Sequence, residues 1–186
     1  MKKIFFISLI LIAAGCSSLK VSYDFDGQTD FTKYKTYAFT EDAVKLPIND
    51  LNRDRILKAV QTELAAKGLT QSNNPDVLVD LHVRAEKKTE ATATTTGTGG
   101  MYGGGYYGGP GRYGYGGGFS TTQINYNDYI EGTLIIDIID RSTEKITWQG
   151  RGKKTVDEDA SPEKREKNIN AGVKQIFTKY PPVKKK

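Results

Sequence analysis

Thirteen of the chain's twenty glycines fall between Gly97 and Gly118, inside a stretch from Thr89 to Phe119 that reads TEATATTTGTGGMYGGGYYGGPGRYGYGGGF. Such a composition cannot offset the entropy of its own ordering by burying a core, so the stretch reads as a loosely ordered low-complexity loop. Any core must be built from the sequence on either side of it. Its side chains admit two readings. Tyr102, Tyr106, Tyr107, Tyr113 and Tyr115, with Arg112, could stack on sugar rings, aromatic ligands or a partner surface, since tyrosine supplies wide amphipathic area at low entropic cost. Equally, a hairpin connection tolerates a long insertion because loop closure grows costly only slowly with length.

The N-terminus fixes the expected location. Lys2 and Lys3 precede a mainly apolar stretch from Ile4 to Ala14, and Gly15 then meets Cys16, the single cysteine of the chain. A basic start, a short apolar run and small residues at a cut site make a secretory signal. The run is too short to span a bilayer, which takes about 20 residues. Ending on Ala13-Ala14-Gly15-Cys16, it resembles a bacterial lipoprotein signal, in which the cysteine is acylated and becomes the new N-terminus. The expected organisation is a signal peptide over 1–15, a lipidated linker over 16–20 and a single domain over 21–186, interrupted by the loop at 89–119. Ser17 after the cysteine, rather than Asp, favours the outer membrane by analogy with the sorting rule of enteric bacteria. The domain is then held in the cell envelope, facing the periplasm or the cell surface.

With its one thiol taken by lipid, the chain can form no disulfide and must rely on a packed core. The net charge of +5 falls to +3 without Lys2 and Lys3, and Lys184, Lys185 and Lys186 carry much of the remainder. A basic tail can signal nucleic acid, but an exported chain does not meet it. The expected partners are the membrane, through Cys16, and an envelope protein or glycan.

Element patterns flank the loop. Val21 to Phe25 and Thr36 to Phe39 read as short strands. A helix is expected from about Asp50 to Lys67, where Ile56, Val60 and Leu64 recur at helical spacing, with Asn49 or Asp50 as cap and Gly68 at the end. Asp76 to about Lys87 alternates Val77, Val79, Leu81 and Val83 on one face with Leu78, Asp80, His82 and Arg84 on the other. Strands near Thr122 to Tyr126, over Thr133 to Asp140 and from Ile146 to about Thr155 follow the loop. A last helix starts at the Ser161-Pro162 cap and ends before Pro181-Pro182. The order β-β-α-β-(Gly-rich loop)-β-β-α argues an α+β domain with a largely antiparallel sheet and two amphipathic helices on one face. Ile135 and Ile139 fall on the other face beside a polar row, where they mark a possible contact surface.

Several of these landmarks together are similar to one family. Tyr23-Asp24, Asp30-Phe31-x-x-Tyr34-Lys35-Thr36-Tyr37, Asp76-Val77-Leu78-Val79, Gly132-Thr133-Leu134 with Asp137 and Asp140, Ile146-x-Trp148-x-Gly150 and Tyr180-Pro181-Pro182 resemble a bacterial lipoprotein family known as domain of unknown function 4136. The resemblance implies the α+β fold and the lipidated envelope location. It implies no reaction, cofactor or catalytic residue. The motif residues read as architecture: aromatic packing for Tyr34 and Tyr37, a close neighbour or bend at Gly150, and a turn closed by Asp140.

Signatures of chemistry are sparse. His82 is the one histidine, and Asp80 stands beside it on the same strand face, as an imidazole and an orienting carboxylate would in a hydrolase. Neighbours two apart on a strand lie about 7 Å from each other, too far for a direct hydrogen bond without side-chain reach. One histidine and a lipidated cysteine make no ordinary zinc site, and Asp157-Glu158-Asp159 lacks the spacing of a calcium loop. Two G-x-G-x-x-G matches, at Gly103 and Gly109, follow from glycine abundance and open no helix after a strand. The expectation is a non-catalytic binding or scaffold module with no cofactor or metal. The competing readings are an envelope hydrolase using Asp80 and His82, and a structural or adhesive role for the Gly/Tyr-rich arm.

Overall fold

A computed structural model describes residues 19–97 and 120–182. Cys16 and the loop residues Tyr102, Tyr106, Tyr107, Arg112, Tyr113 and Tyr115 lie outside the described residues. The described chain forms two compact units, one from residues up to Glu86 together with those from Glu131 onward, the other from Lys87 to Ile130.

The first unit is α+β. Its elements are β1 (Lys20–Phe25), β2 (Thr36–Phe39), the one-turn helix α1 (Glu41–Val44), α2 (Asp50–Ala66), the two-residue β3 (Thr70–Gln71), β4 from Val77, β5 ending at Asp140, β6 (Lys145–Thr155) and α3 (Pro162–Phe177). The strands form one sheet in the order β1-β6-β5-β4-β2-β3. The sheet is mixed, not largely antiparallel. β6 is antiparallel to both β1 and β5, whereas β2 runs parallel to β4 and to β3. The reason is the connection: α2 carries the chain back to the sheet end from which β2 started, and a helical crossover of this kind joins parallel strands.

Both long helices start where their caps stand. Asn49 accepts a hydrogen bond from the Leu51 amide at the head of α2, and Ser161 accepts from the Lys164 amide ahead of Pro162 in α3. Gly68, at φ +83°, ends α2 in the left-handed region that favours glycine. Thr40 caps the short α1, which the apolar pattern did not signal, by accepting from the Ala43 amide. The helices bury Ile56, Val60 and Leu64 from α2 and Val173, Ile176 and Phe177 from α3 against Val77, Val79, Leu81, Ile136, Ile138 and Trp148 of the sheet.

An aromatic cluster closes one end of this core. The Trp148 ring lies 5.8 Å from Phe177 and 5.2 Å from Tyr180, and its indole N–H donates to the Lys179 carbonyl at 3.2 Å. Gly150 makes that packing possible. A Cβ there would meet the Trp148 ring and come within 2.6 Å of Ile176 Cγ2.

The motif carboxylates hold the strands together. Asp140 Oδ1 accepts from the Ser142 and Thr143 amides and the Ser142 hydroxyl, closing the β5–β6 turn. Its Oδ2 accepts from Tyr34 Oη and Lys33 Nζ, both at 2.8 Å, so that the segment before β2 is tied to the end of β5. Asp76 does similar work between β2 and β4, accepting from the Lys35 and Thr36 amides and the Thr36 hydroxyl.

The second unit is a two-stranded ribbon made by the outer parts of β4 (Val77–Gly97) and β5 (Ser120–Asp140). β4 continues through Thr89, Thr92, Thr94, Thr95 and Thr96, inside the stretch whose composition reads as loop, because β-branched threonine suits a pleated strand. Likewise β5 is one strand where the pattern suggests two. Lys87 Nζ pairs with Asp128 at 2.7 Å, Thr89 donates to Asp128, and the Thr95 and Thr122 hydroxyls meet at 3.1 Å. Ile124 and Tyr126 are exposed on this ribbon.

Gly150→Ala should lower stability by about 1–3 kcal/mol through overpacking, read as a shift in the urea midpoint. Gly27→Ala, where a Cβ has nothing within 4 Å, should stay within about 0.5 kcal/mol of wild type. Asp140 is held well below the usual carboxylate range, chiefly by Lys33 and Ser142. It therefore adds stability above the unfolded aspartate pKa of about 3.9, and that stability is lost as pH falls below it. Asp140→Asn should cost about 2–3 kcal/mol at pH 7, and the gap between variant and wild type should narrow in denaturation curves taken at pH 3.

Candidate functional site

Strand alternation turns Val77, Val79, Leu81, Ile136, Ile138 and Trp148 toward the helices and leaves the residues between them on the opposite face. Register sets them in rows. Arg151 stands between Ser22 and Ile135, and Gln149 stands between Asp24 and Asp137. His82 and Asp80 of β4 join the second row. His82 Nε2 lies 3.3 Å from Asp80 Oδ2 and 3.6 Å from Asp137 Oδ2. Side-chain reach thus closes the separation of about 7 Å that strand geometry sets between Asp80 and His82.

Asp137 is the least accessible group of this face, with only 4% of its surface exposed. Its Oδ1 accepts from Gln149 Nε2 at 2.8 Å, and the Gln149 carbonyl oxygen in turn accepts from Arg151 Nη2 at 3.5 Å. Burial pushes the Asp137 carboxyl above the usual range, against the opposing pull of the Gln149 hydrogen bond and the His82 imidazole. The His82 side chain, by contrast, is 55% exposed. Ile135 and Ile139, two residues to either side of Asp137, are half-buried. Arg84 points outward beyond the row, 3.8 Å from Glu86.

The order of these groups limits their chemistry. Thr40 Oγ1 donates to Asp80 Oδ1 at 2.6 Å, so the carboxylate lies between hydroxyl and imidazole. In a nucleophilic triad the imidazole stands in the middle, where it can take the hydroxyl proton. Here Asp80 stands in the middle instead, with the half-exposed His82 imidazole beside it and Ile135 and Ile139 flanking Asp137 on the neighbouring strand.

Two cavities lie elsewhere on the first unit, and His82 lines neither. One, of about 450 Å³, opens beside Lys33, Asp76, Asp140 and Arg141, where the carboxylates already serve the strand-tying bonds described above. The other, of about 510 Å³, is an apolar cleft between α2, α3 and the sheet. Leu19, Ile56, Val83, Leu134, Ile169 and Val173 contribute to its walls.

Of the residues singled out in the sequence, the structure brings Asp80 and His82 together and places Ile135 and Ile139 on their face. Thr40, Gln149 and Arg151 join that face without having been singled out, and Asp137 appears there in a role its motif did not suggest. Alternation with Trp148 and Gly150 is the signal that places Gln149 and Arg151. Among the described residues no cluster of three or more metal-ligating side chains is found, and no helix is long and apolar enough to cross a membrane.

The family described as Domain of unknown function (DUF4136) has a model that matches residues 21–182, from the first strand to the turn after the last helix. The chain belongs to that family. The DUF4136 motif residues named above are, in this structure, largely the ones that tie strands and pack the aromatic end of the core. No curated protein matches the chain. Among solved structures, a PDZ domain protein from Parabacteroides distasonis ATCC 8503 is similar at 20% identity and a TM-score of 0.49, over 90% of this chain and 36% of that one. The chain therefore spans about a third of that protein's length. Two structures of the PelC dodecamer from Paraburkholderia phytofirmans are similar at 11% and 10% identity, with TM-scores of 0.42 and 0.44. Each covers 87% of this chain, and 95% and 96% of its own.

Asp137 supplies a test of the face's electrostatics. Because its folded pKa is raised, its ionisation costs stability as pH climbs from the unfolded value through the folded one. Asp137→Asn keeps an oxygen for Gln149 and removes the buried charge. Its urea midpoint at pH 7 should equal or exceed that of wild type, the reverse of Asp140→Asn.

Proposed function

We propose that this chain is a lipid-anchored binding or scaffold module of the bacterial cell envelope, tethered through acylated Cys16 to the outer membrane and acting without catalysis. The open sheet face is its contact surface, and its partner is an envelope protein or glycan. The observation that carries this reading is the Thr40–Asp80–His82–Asp137 strip. Thr40 donates to Asp80, the His82 imidazole lies within 3.6 Å of both Asp80 and Asp137, Ile135 and Ile139 border the group, and its residues line neither cavity. A preformed polar strip with apolar borders suits recognition, in which orientation comes from the polar groups and contact area from the apolar ones. The anchor reading draws on the Lys2-Lys3 start, the apolar run and Ala-Ala-Gly-Cys. β1 begins at Lys20, so three residues, with four steps of chain spanning at most about 14 Å, separate the acylated residue from the sheet.

The experiment has two arms. Cells fed a clickable palmitate analogue should label the wild-type chain and retain it in the membrane fraction. Cys16→Ser should lose both label and retention, and an unchanged distribution would refute the anchor. In the second arm a photoreactive amino acid replaces Ile135 or, as a control, the exposed Leu51 of α2. Irradiation of intact cells should give a discrete adduct from position 135 that is absent from position 51 and weakened several-fold by His82→Ala. Equal adducts from both positions would reject the face.

A further inference from the structure

The apolar cleft on the helix side differs from the contact face in every respect that matters for a ligand. Ile56 from α2, Ile169 and Val173 from α3, and Val83 and Leu134 from the sheet make its walls aliphatic. Its volume of about 510 Å³ falls inside the range of roughly 300–1,000 Å³ typical of small-molecule sites. Two of the cations at its edge are already engaged: Lys154 Nζ donates to Asn168 and Arg165 Nε donates to the Ala160 carbonyl. Such aliphatic walls suit a hydrocarbon chain with little need of polar contacts.

The chain itself points to which hydrocarbon. Leu19 reaches into the cleft, with its two methyls 3.4 and 4.0 Å from where a Cβ would stand on Gly152 and Gly172. A Cβ added to Gly172 would meet, among the described residues outside its own helical turn, only this Leu19 methyl within 4 Å. Cys16 precedes Leu19 by three residues, which span at most about 11 Å. We propose that the cleft holds one acyl chain of the lipid carried by the protein's own Cys16, an inference that rests on the anchor proposed above. A tether this short gives an effective concentration in the millimolar range or higher, which a free phospholipid chain lacks. Moving from bilayer to cleft, the chain stays out of water throughout, so fit and tether decide its position rather than the hydrophobic effect. A triacylated cysteine leaves two further chains in the membrane, enough for stable anchoring.

The test uses the full-length protein in its own membrane. Cells are grown with a diazirine-bearing fatty acid, so that Cys16 carries the photoreactive chain, then irradiated, and the purified protein is digested and mapped by mass spectrometry. The expected result is a set of intramolecular adducts joining the Cys16 peptide to peptides containing Ile56, Ile169 or Val173. Gly172→Leu, which fills the cleft, should reduce these adducts at least fivefold while acylation of Cys16 stays unchanged. Labelled Cys16 that crosslinks only to phospholipid, or only to peptides outside the cleft, overturns the inference and leaves the anchor standing. Absence of label from Cys16 overturns the anchor and the inference together. Should Gly172→Leu fail to fold, the wild-type adduct map decides the question by itself.

Discussion

Asp140 joins parts of the chain that lie far apart in sequence. One oxygen closes the turn that reverses β5 into β6, and the other holds Tyr34 and Lys33 from the segment ahead of β2. A buried carboxylate is costly unless each of its acceptor sites is filled. Here they are, by two amides, a serine hydroxyl, a phenol and a lysine, so the group becomes a fixed point rather than a liability. Tyr34 is then positioned to meet Phe31, whose edge meets Tyr180, which in turn packs on Trp148. The aromatic end of the core is thus assembled outward from one carboxylate.

The same chemistry has the opposite outcome three residues earlier. Asp137 lies on the same strand and is equally inaccessible, but it faces the Gln149 side-chain amide and the His82 imidazole rather than an amide-rich turn and a lysine. Desolvation dominates there, whereas hydrogen bonding dominates at Asp140. One aspartate stabilises the domain and the other is tolerated by it. A costly group retained on an otherwise solvated face is consistent with the recognition role proposed for that strip.

Much of the architecture is legible in the sequence where a local rule has a single solution. The helices follow from Asn49, Ser161-Pro162 and Gly68 together with 3.6-residue spacing, and β4 follows from strict alternation of valines with polar residues. Strand direction is less legible, because Val77-x-Val79 alternates identically in parallel and antiparallel sheets, and only the crossover through α2 settles it. The threonine strand is hidden for another reason: a compositional signal for low complexity masks the β-propensity of Thr92 to Thr96. For the site, Asp80 and His82 are visible as neighbours on one face. Their bridging by Asp137 and the Gln149–Arg151 chain is long-range, fixed by the pairing of β5 with β6, which no short window of sequence contains.

The bond between Tyr34 and Asp140 spans 106 residues of chain, and the entire second unit lies inside that span. Closure entropy depends only logarithmically on the enclosed length, so removing the 44 residues from Lys87 to Ile130 would change it by merely about 0.5 kcal/mol. The domain is therefore nearly indifferent to how long its excursion becomes. Insertions or deletions within that excursion thus carry almost no thermodynamic penalty for the core, and its length is set by whatever it touches outside the fold.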